Sequence, residues 1–164
     1  MKKLSISLFV FICLFMTGCG EDRIRDVATL DEFHAIANSQ RFSVSVNSKY
    51  DEVDYIIDSR VALYDGNGNG YSEDDSTDVL IEMIKYSDSK YAIQVQNSQI
   101  ESFNLLKATA AYEDKEKGSN YYSYELVSNN RYMVSSRVDD TLIFCKTLIT
   151  NKELVEEILD ELDY

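Results

Sequence analysis

The chain has 164 residues, of which 29 are acidic and 16 basic, with a single histidine and a formal net charge of −13. That sign excludes a nucleic-acid partner as an expectation, because phosphate backbones are neutralised by clustered Lys and Arg. Here Arg23, Arg25, Lys85, Lys90, Lys115, Lys117, Arg131 and Arg137 are scattered among acids, and the same sign opposes adsorption to anionic headgroups.

Lys2 and Lys3 precede an apolar run from Leu4 to Met16, which the small pair Thr17 and Gly18 joins to Cys19. A positive start, a short apolar run and small residues are the layout of a secretory signal. The run falls short of the roughly 20 apolar residues that a spanning helix needs. Met16 to Cys19 resembles the lipobox of bacterial lipoproteins, with Met16 where leucine is commonest. The resemblance implies cleavage after Gly18, a diacylglycerol thioether on Cys19 and a place on the extracytoplasmic side of the cell membrane. Two or more acyl chains anchor stably where one is marginal. The competing reading is an ordinary secretory signal that ends by chance before a cysteine.

The expected division is a signal peptide over residues 1–18, a lipidated tether over 19–28 and a single domain over 29–164. Removing residues 1–18 takes Lys2 and Lys3 but no acid, which moves the charge from −13 to −15. Cys13 leaves with the signal and Cys19 is expected to carry lipid, so Cys145 stands alone and no intramolecular disulfide forms. Stability then rests on a packed core, and a chain of this length buries about two-thirds of its unfolded surface. Cys145, in the strand-like run Leu142 to Cys145, reads as a small buried apolar residue.

After a polar segment from Gly20 to Ala28, Thr29 and Glu32 form a capping-box pattern that starts a first helix, with Leu30, Phe33, Ile36 and Ala37 on one stripe. His34 lies beside that stripe, with no second ligand at helical spacing. Phe42, Val44 and Val46 alternate with polar residues, as a half-buried strand does. Tyr55 to Tyr64 holds a second strand towards its end, and Val79 to Tyr86 is the most strand-like run of the first half. The segment from Ser87–Ser89 to Lys107 reads as a helix with Ala92, Val95, Ile100 and Phe103 on one side, covering one face of a sheet. Tyr112 to Asn120, of mixed charge and containing Gly118, reads as a solvated loop.

Tyr121 to Val127, Tyr132 to Val138 and Thr141 to Thr147 are three strand candidates. The turns between them are short enough to force antiparallel neighbours. Thr150 and Glu153 suggest a second capping box, and Leu154, Val155, Ile158, Leu159 and Leu162 give a closing helix one apolar face. The fold expected is α+β: an antiparallel sheet of about five or six strands, including the C-terminal three-strand meander, with helices packed mainly on one face.

From Tyr121 onward the chain resembles a group of small bacterial lipoproteins of uncharacterised function. The matching features are the paired Tyr121 and Tyr122, the hairpin Ser128 to Val134, the turn Arg137 to Asp139 and the closing helix Lys152 to Tyr164. Asp163 stands where such chains often have glycine. The resemblance implies a fold and an address but no activity.

Asp65, Asn67, Asn69 and Gly70 match the first, third, fifth and sixth positions of an EF-hand calcium loop, whose alternating oxygen ligands converge on the ion. A backbone carbonyl at Tyr71 and one carboxylate from Glu73, Asp74, Asp75 or Asp78 would complete the shell. Ser72 and Ser76 occupy the positions of the apolar residue and the bidentate glutamate, and the flanks read as strands. A weak calcium site and a plain glycine-rich hairpin loop therefore both stand. The tyrosines could line a binding face, although strand packing alone accounts for them. The sequence carries no nucleophile elbow, phosphate loop or zinc spacing. It points to a membrane-anchored binding or interaction module with a protein or small-ligand partner. The alternatives are a hydrolase whose site converges only in three dimensions, marked by a concave pocket lined by carboxylates or by Cys145 and His34 together, and a weak calcium-binding surface module.

Overall fold

The structure, a computed structural model, describes residues 23–72 and 75–164. The signal segment and Cys19 lie outside the described residues. The elements run α1 (Leu30–Ser39), β1 (Ser43–Val46), β2 (Ile56–Tyr64), β3 (Val79–Tyr86), α2 (Ser89–Asn104), β4 (Ala110–Lys117), β5 (Tyr121–Ser128), β6 (Arg131–Val138), β7 (Thr141–Leu148) and α3 (Lys152–Leu162). All strand pairs are antiparallel, in one seven-stranded sheet of order β1-β2-β3-β7-β6-β5-β4. The α+β class with an antiparallel sheet is as expected, and the strand count exceeds five or six. The added strand is β4, which the charges of Glu113 to Lys117 disguise as a loop. On an edge strand those side chains reach water on both sides and deter pairing with another chain.

Side chains alternate between two packed faces. One face carries α1 and α3, with Phe33, Ala37, Val155 and Ile158 against Ala62, Ile81, Val134 and Cys145. The opposite face carries α2, whose Ala92 meets Ile84, Tyr86 and Leu142 while Phe103 meets Tyr124, Leu126 and Met133. Helices therefore cover both faces, where one principal face was expected. The centre of the sheet needs this, because the β3 sequence VLIEMIKY is apolar almost throughout. A strand buried on both faces shows such a continuous run rather than alternation.

Local chemistry sets the helix ends. At α1 the Thr29 Oγ1 accepts the Glu32 N–H at 3.1 Å and the Glu32 carboxylate accepts the Thr29 N–H at 2.7 Å, which is the expected capping box. The second expected box does not form. Ile149–Asn151 is a 3-10 turn, Asn151 precedes α3, and its amide donates to the Ser76 carbonyl and the Thr147 hydroxyl instead. At the end of α3, Asp163 adopts the left-handed conformation (φ 56°, ψ 45°), and its carboxylate accepts a 2.8 Å bond from Arg23. Aspartate tolerates that conformation better than most residues, and the ion pair gives it a role that glycine could not fill.

Residues 23–28, read from sequence as tether, are fastened to the sheet. Arg25 is 5% exposed, its guanidinium lies 4.1 Å from the centre of the Tyr121 ring, and it donates to Glu116 at 2.7 Å. The Arg25 N–H donates to the Asn120 side-chain oxygen, whose amide returns a bond to the Arg25 carbonyl. The Ser119 N–H donates to the Arg23 carbonyl. This strap crosses the β4–β5 turn, and Ala28 enters the core beneath α1.

Glu125, on the α3 side of β5, is half-buried. Burial pushes its carboxyl above the ordinary 4.5, the like charge of Glu156 adds to this, and Lys152 opposes it. Asp114 and Tyr132 complete its surroundings. A carboxyl raised in the folded state holds its proton to a higher pH than in the unfolded chain, so stability falls as pH rises from about 4.5 through the folded value. Glu125→Gln is expected to raise the melting temperature by about 2–4 °C at pH 7, with the gain shrinking towards pH 4. An unchanged or lower melting temperature at pH 7 would contradict this.

Candidate functional site

The β2–β3 connection folds around three aspartates. Asp65 accepts the N–H groups of Asn67, Gly68, Asn69 and Gly70 at 3.2, 2.6, 3.2 and 2.6 Å. Gly68 (φ 72°) and Gly70 (φ 96°) take the left-handed conformation that lets the backbone curl round one carboxylate. Asp78, 7% exposed, accepts the N–H of Gly66 at 3.0 Å and of Ser72 at 2.7 Å, which closes the base of the loop. Asp75 accepts from the Thr77 N–H and hydroxyl and from the Asn67 amide.

Asp65, Asn67, Asn69 and Tyr71 thus share one loop, as the calcium spacing requires, while Glu73 lies outside the described residues. The geometry adds nothing in favour of calcium over a plain loop. The Asp65 carboxylate is already engaged by four backbone donors, and among the described residues no three His, Cys, Asp or Glu side chains gather to hold a metal. The loop's curl comes from Asp65 and the glycines themselves.

The pair that would have favoured a hydrolase is not formed. Cys145 is fully buried on the α1/α3 face, where burial pushes its thiol well above the ordinary range. His34 is exposed on α1. The tyrosines divide by burial: Tyr86, Tyr124 and Tyr132 are core residues, whereas Tyr55 and Tyr112 are 39% and 45% exposed. Packing accounts for most of them.

Beside the Asp65–Asp78 loop lies a groove of about 440 Å³ whose lining includes Tyr71, Leu80, Arg131, Phe144, Lys146 and Leu148. Small-molecule pockets commonly start near 300 Å³. The groove exists because α2 starts at the end of β3 near Tyr86 and finishes over β5, where the Tyr124 hydroxyl donates to Asn104. It leaves the opposite ends of β3 and β7 uncovered on that face. Arg131 follows the two-residue turn Asn129–Asn130, both left-handed at φ 52° and 62°, and pairs with Leu148, while Lys146 pairs with Met133. Cross-strand partners share a face, so both cations project from the same surface at diagonal positions.

Neither Arg131 nor Lys146 forms an ion pair among the described residues. Most other bases do: Arg25 with Glu116, Lys85 with Asp140, Lys107 and Lys115 with Glu113. A second cleft, of about 490 Å³, sits at the other end of the sheet between Leu30, Ile57, Arg60 and Lys85. Its cations are neutralised by Asp58 and Asp140. What distinguishes the first groove is two cations without an ion pair among the described residues, in a lining that also holds the carboxylates of Asp75 and Asp78. No sequence signal marked it, because Arg131 and Lys146 become neighbours only through the β6–β7 register.

No protein-family model matches the chain, and no curated protein matches it. Among solved structures it is similar to a GTP binding regulator from Thermotoga maritima, at 13% identity and a TM-score of 0.45, covering 85% of this chain and 91% of that one. A likeness at that level implies no activity.

The four backbone donors around Asp65, the Gly70 N–H foremost, hold its carboxyl below the ordinary 3.8. A carboxyl lowered in the folded state supports the loop above its unfolded value and loses that support as pH falls through the folded one. The amide NMR shifts of Gly68 and Gly70 are expected to titrate with a midpoint below 3.8. A midpoint at or above that value, or unchanged shifts in Asp65→Ala, would contradict this.

Proposed function

We propose that the protein is a lipid-anchored extracytoplasmic binding module, tethered through Cys19 and presenting the Arg131–Lys146 groove away from the membrane. The anchoring rests on the order of positive start, apolar run, small pair and cysteine at residues 2–19.

The observation that carries the orientation is the strap. From Arg23 the chain is bound to the end of the sheet that bears the β4–β5 turn, so residues 19–22 are the only span left to bridge domain and bilayer. Fully extended, four residues reach about 14 Å. The groove sits at the other ends of β6 and β7, and the eight residues of β6 cover about 26 Å. An anchor at Cys19 therefore holds the strap end close to the headgroups and turns the groove outward. The mature charge works in the same direction, since an acidic surface is repelled by anionic lipid.

Cys19→Ala in the full chain is expected to abolish incorporation of a labelled fatty acid and to leave the protein unprocessed or released. Labelling and membrane retention equal to the wild type would contradict the anchoring.

A further inference from the structure

We infer that the loop tip Asp65–Gly70 is a site of spontaneous covalent modification, at which Asn69 converts through a cyclic imide to aspartate and isoaspartate, and that Asp65 and Asp78 guard the tip and keep the reaction slow. The inference goes beyond the binding-module reading and is independent of it.

The run Asp65, Gly66, Asn67, Gly68, Asn69, Gly70 repeats one arrangement three times, a side-chain carbonyl carbon followed by a glycine. With no Cβ to hinder it, a glycine nitrogen can close a ring on that carbon. At an asparagine, the nitrogen loses its proton to a solvent base and bonds to Cγ. The Cγ–Nδ2 bond breaks, and ammonia leaves with a proton taken from water. Water then opens the imide at either carbonyl, which leaves aspartate or, with the backbone rerouted through the side chain, isoaspartate. Residues 66–70 are all exposed, so solvent base and water both reach them.

Each of the three glycine nitrogens is engaged by a carboxylate. The Gly66 N–H donates to Asp78 at 3.0 Å, and those of Gly68 and Gly70 donate to the two oxygens of Asp65 at 2.6 Å each. The attacking species is the deprotonated nitrogen, whose negative charge would face the carboxylate at that distance. A hydrogen bond made by the protonated form and a like charge beside the deprotonated form both oppose loss of the proton. Ring closure therefore waits on local opening of the loop, which costs less than global unfolding.

The electrophilic carbons are not equally restrained. The Asn67 amide is tied to Asp75 by a 2.8 Å bond, so that bond and the Gly68 bond must both break. The Asp65 carboxyl is held below its ordinary 3.8 by its backbone donors, so it is ionised and a poor target for a nucleophile. The Asn69 side-chain amide makes no hydrogen bond among the described residues, and only the Gly70 bond to Asp65 stands between it and ring closure. Asn69 is thus the position that converts first. Its product sets a further negative charge beside Asp65, and isoaspartate inserts a backbone atom into the curl that brings Gly70 to that carboxylate.

The test is peptide mapping by mass spectrometry, with isoaspartate resolved, of the full chain in detergent micelles held at mildly alkaline pH for weeks, both folded and in urea. Conversion is expected at Asn69 ahead of Asn67 in the folded protein, and at similar rates at the two positions in urea. Asp65→Ala is expected to raise both folded-state rates several-fold, and Asp75→Ala to raise the rate at Asn67 alone. Asn97, followed by Ser98 within α2, is the control; it stays unconverted unless the whole domain opens. Asn69 converting as fast in the folded protein as in urea, or Asn67 converting first, would overturn the inference. Unchanged rates in Asp65→Ala with Asn97 still protected would overturn it too. Should Asn97 report that Asp65→Ala has opened the domain, Asp75→Ala decides, and no rise at Asn67 in that variant would overturn the inference.

Discussion

The ladder between β3 and β7 joins two antiparallel meanders into one sheet. β1-β2-β3 and β4-β5-β6-β7 are each an antiparallel meander, and each is followed by a helix. Only the pairing of Ile81 with Cys145 and its neighbours out to Lys85 with Thr141 makes them one sheet. Both strands are covered on both faces, so this is where the two sides of the core meet. The one acid on β3, Glu82, is buried at 8% exposure, accepts bonds from the Asn47 amide at 2.8 Å and the Tyr50 hydroxyl at 3.2 Å, and lies 3.6 Å from the Lys49 ammonium. A buried charge without such partners would cost several kcal/mol. The Ser48–Tyr50 turn is thereby pinned over the sheet.

The ladder also explains why the two halves do not read as a repeat. A two-fold axis relating adjacent antiparallel strands runs perpendicular to the sheet and would put the helix that follows each strand on the same face. Here α2 and α3 lie on opposite faces. No rotation superposes the halves, and their core positions answer to different partners. The α2 interface is the more polar of the two. Gln96, 2% exposed, donates to the carbonyls of Tyr122 and Ser135 and accepts from Arg137, whose guanidinium also binds the Asn120 and Asp139 carbonyls. That network places α2 over β5 and β6, and by doing so leaves the ends of β3 and β7 open as the groove.

What the sequence made legible is what local chemistry decides. The Thr29–Glu32 box, the meander from Tyr121 and the apolar stripe of α3 each depend on residues that are near neighbours in the chain or joined by a short turn, and each formed as expected. The readings that differ turn on long-range pairing. β4 hides because an edge strand can keep mixed charge. Thr150 and Glu153 match a capping box in spacing, but the chain leaving β7 makes a 3-10 turn first and Asn151 is drawn to Ser76. Arg23 and Arg25 look like tether until Glu116, Asn120 and Asp163, far away in sequence, supply their partners. Gln96 sits among polar residues on a helix with a weak apolar face, so its burial had no periodic signal. The groove's cations are 15 positions apart in the chain and become a pair only in the β6–β7 register.

If the β3–β7 ladder is what unites the structure, then the protein opens as one unit. Native-state hydrogen exchange measures this directly. The amides of Ile81, Met83, Ile143 and Cys145 are predicted to exchange only through global unfolding, with the same free energy of opening as the inner amides of β2 and β6. Exchange of the β1–β3 amides at a distinctly lower free energy than those of β5–β7 would contradict the account, because the two meanders would then be separate folding units that merely touch.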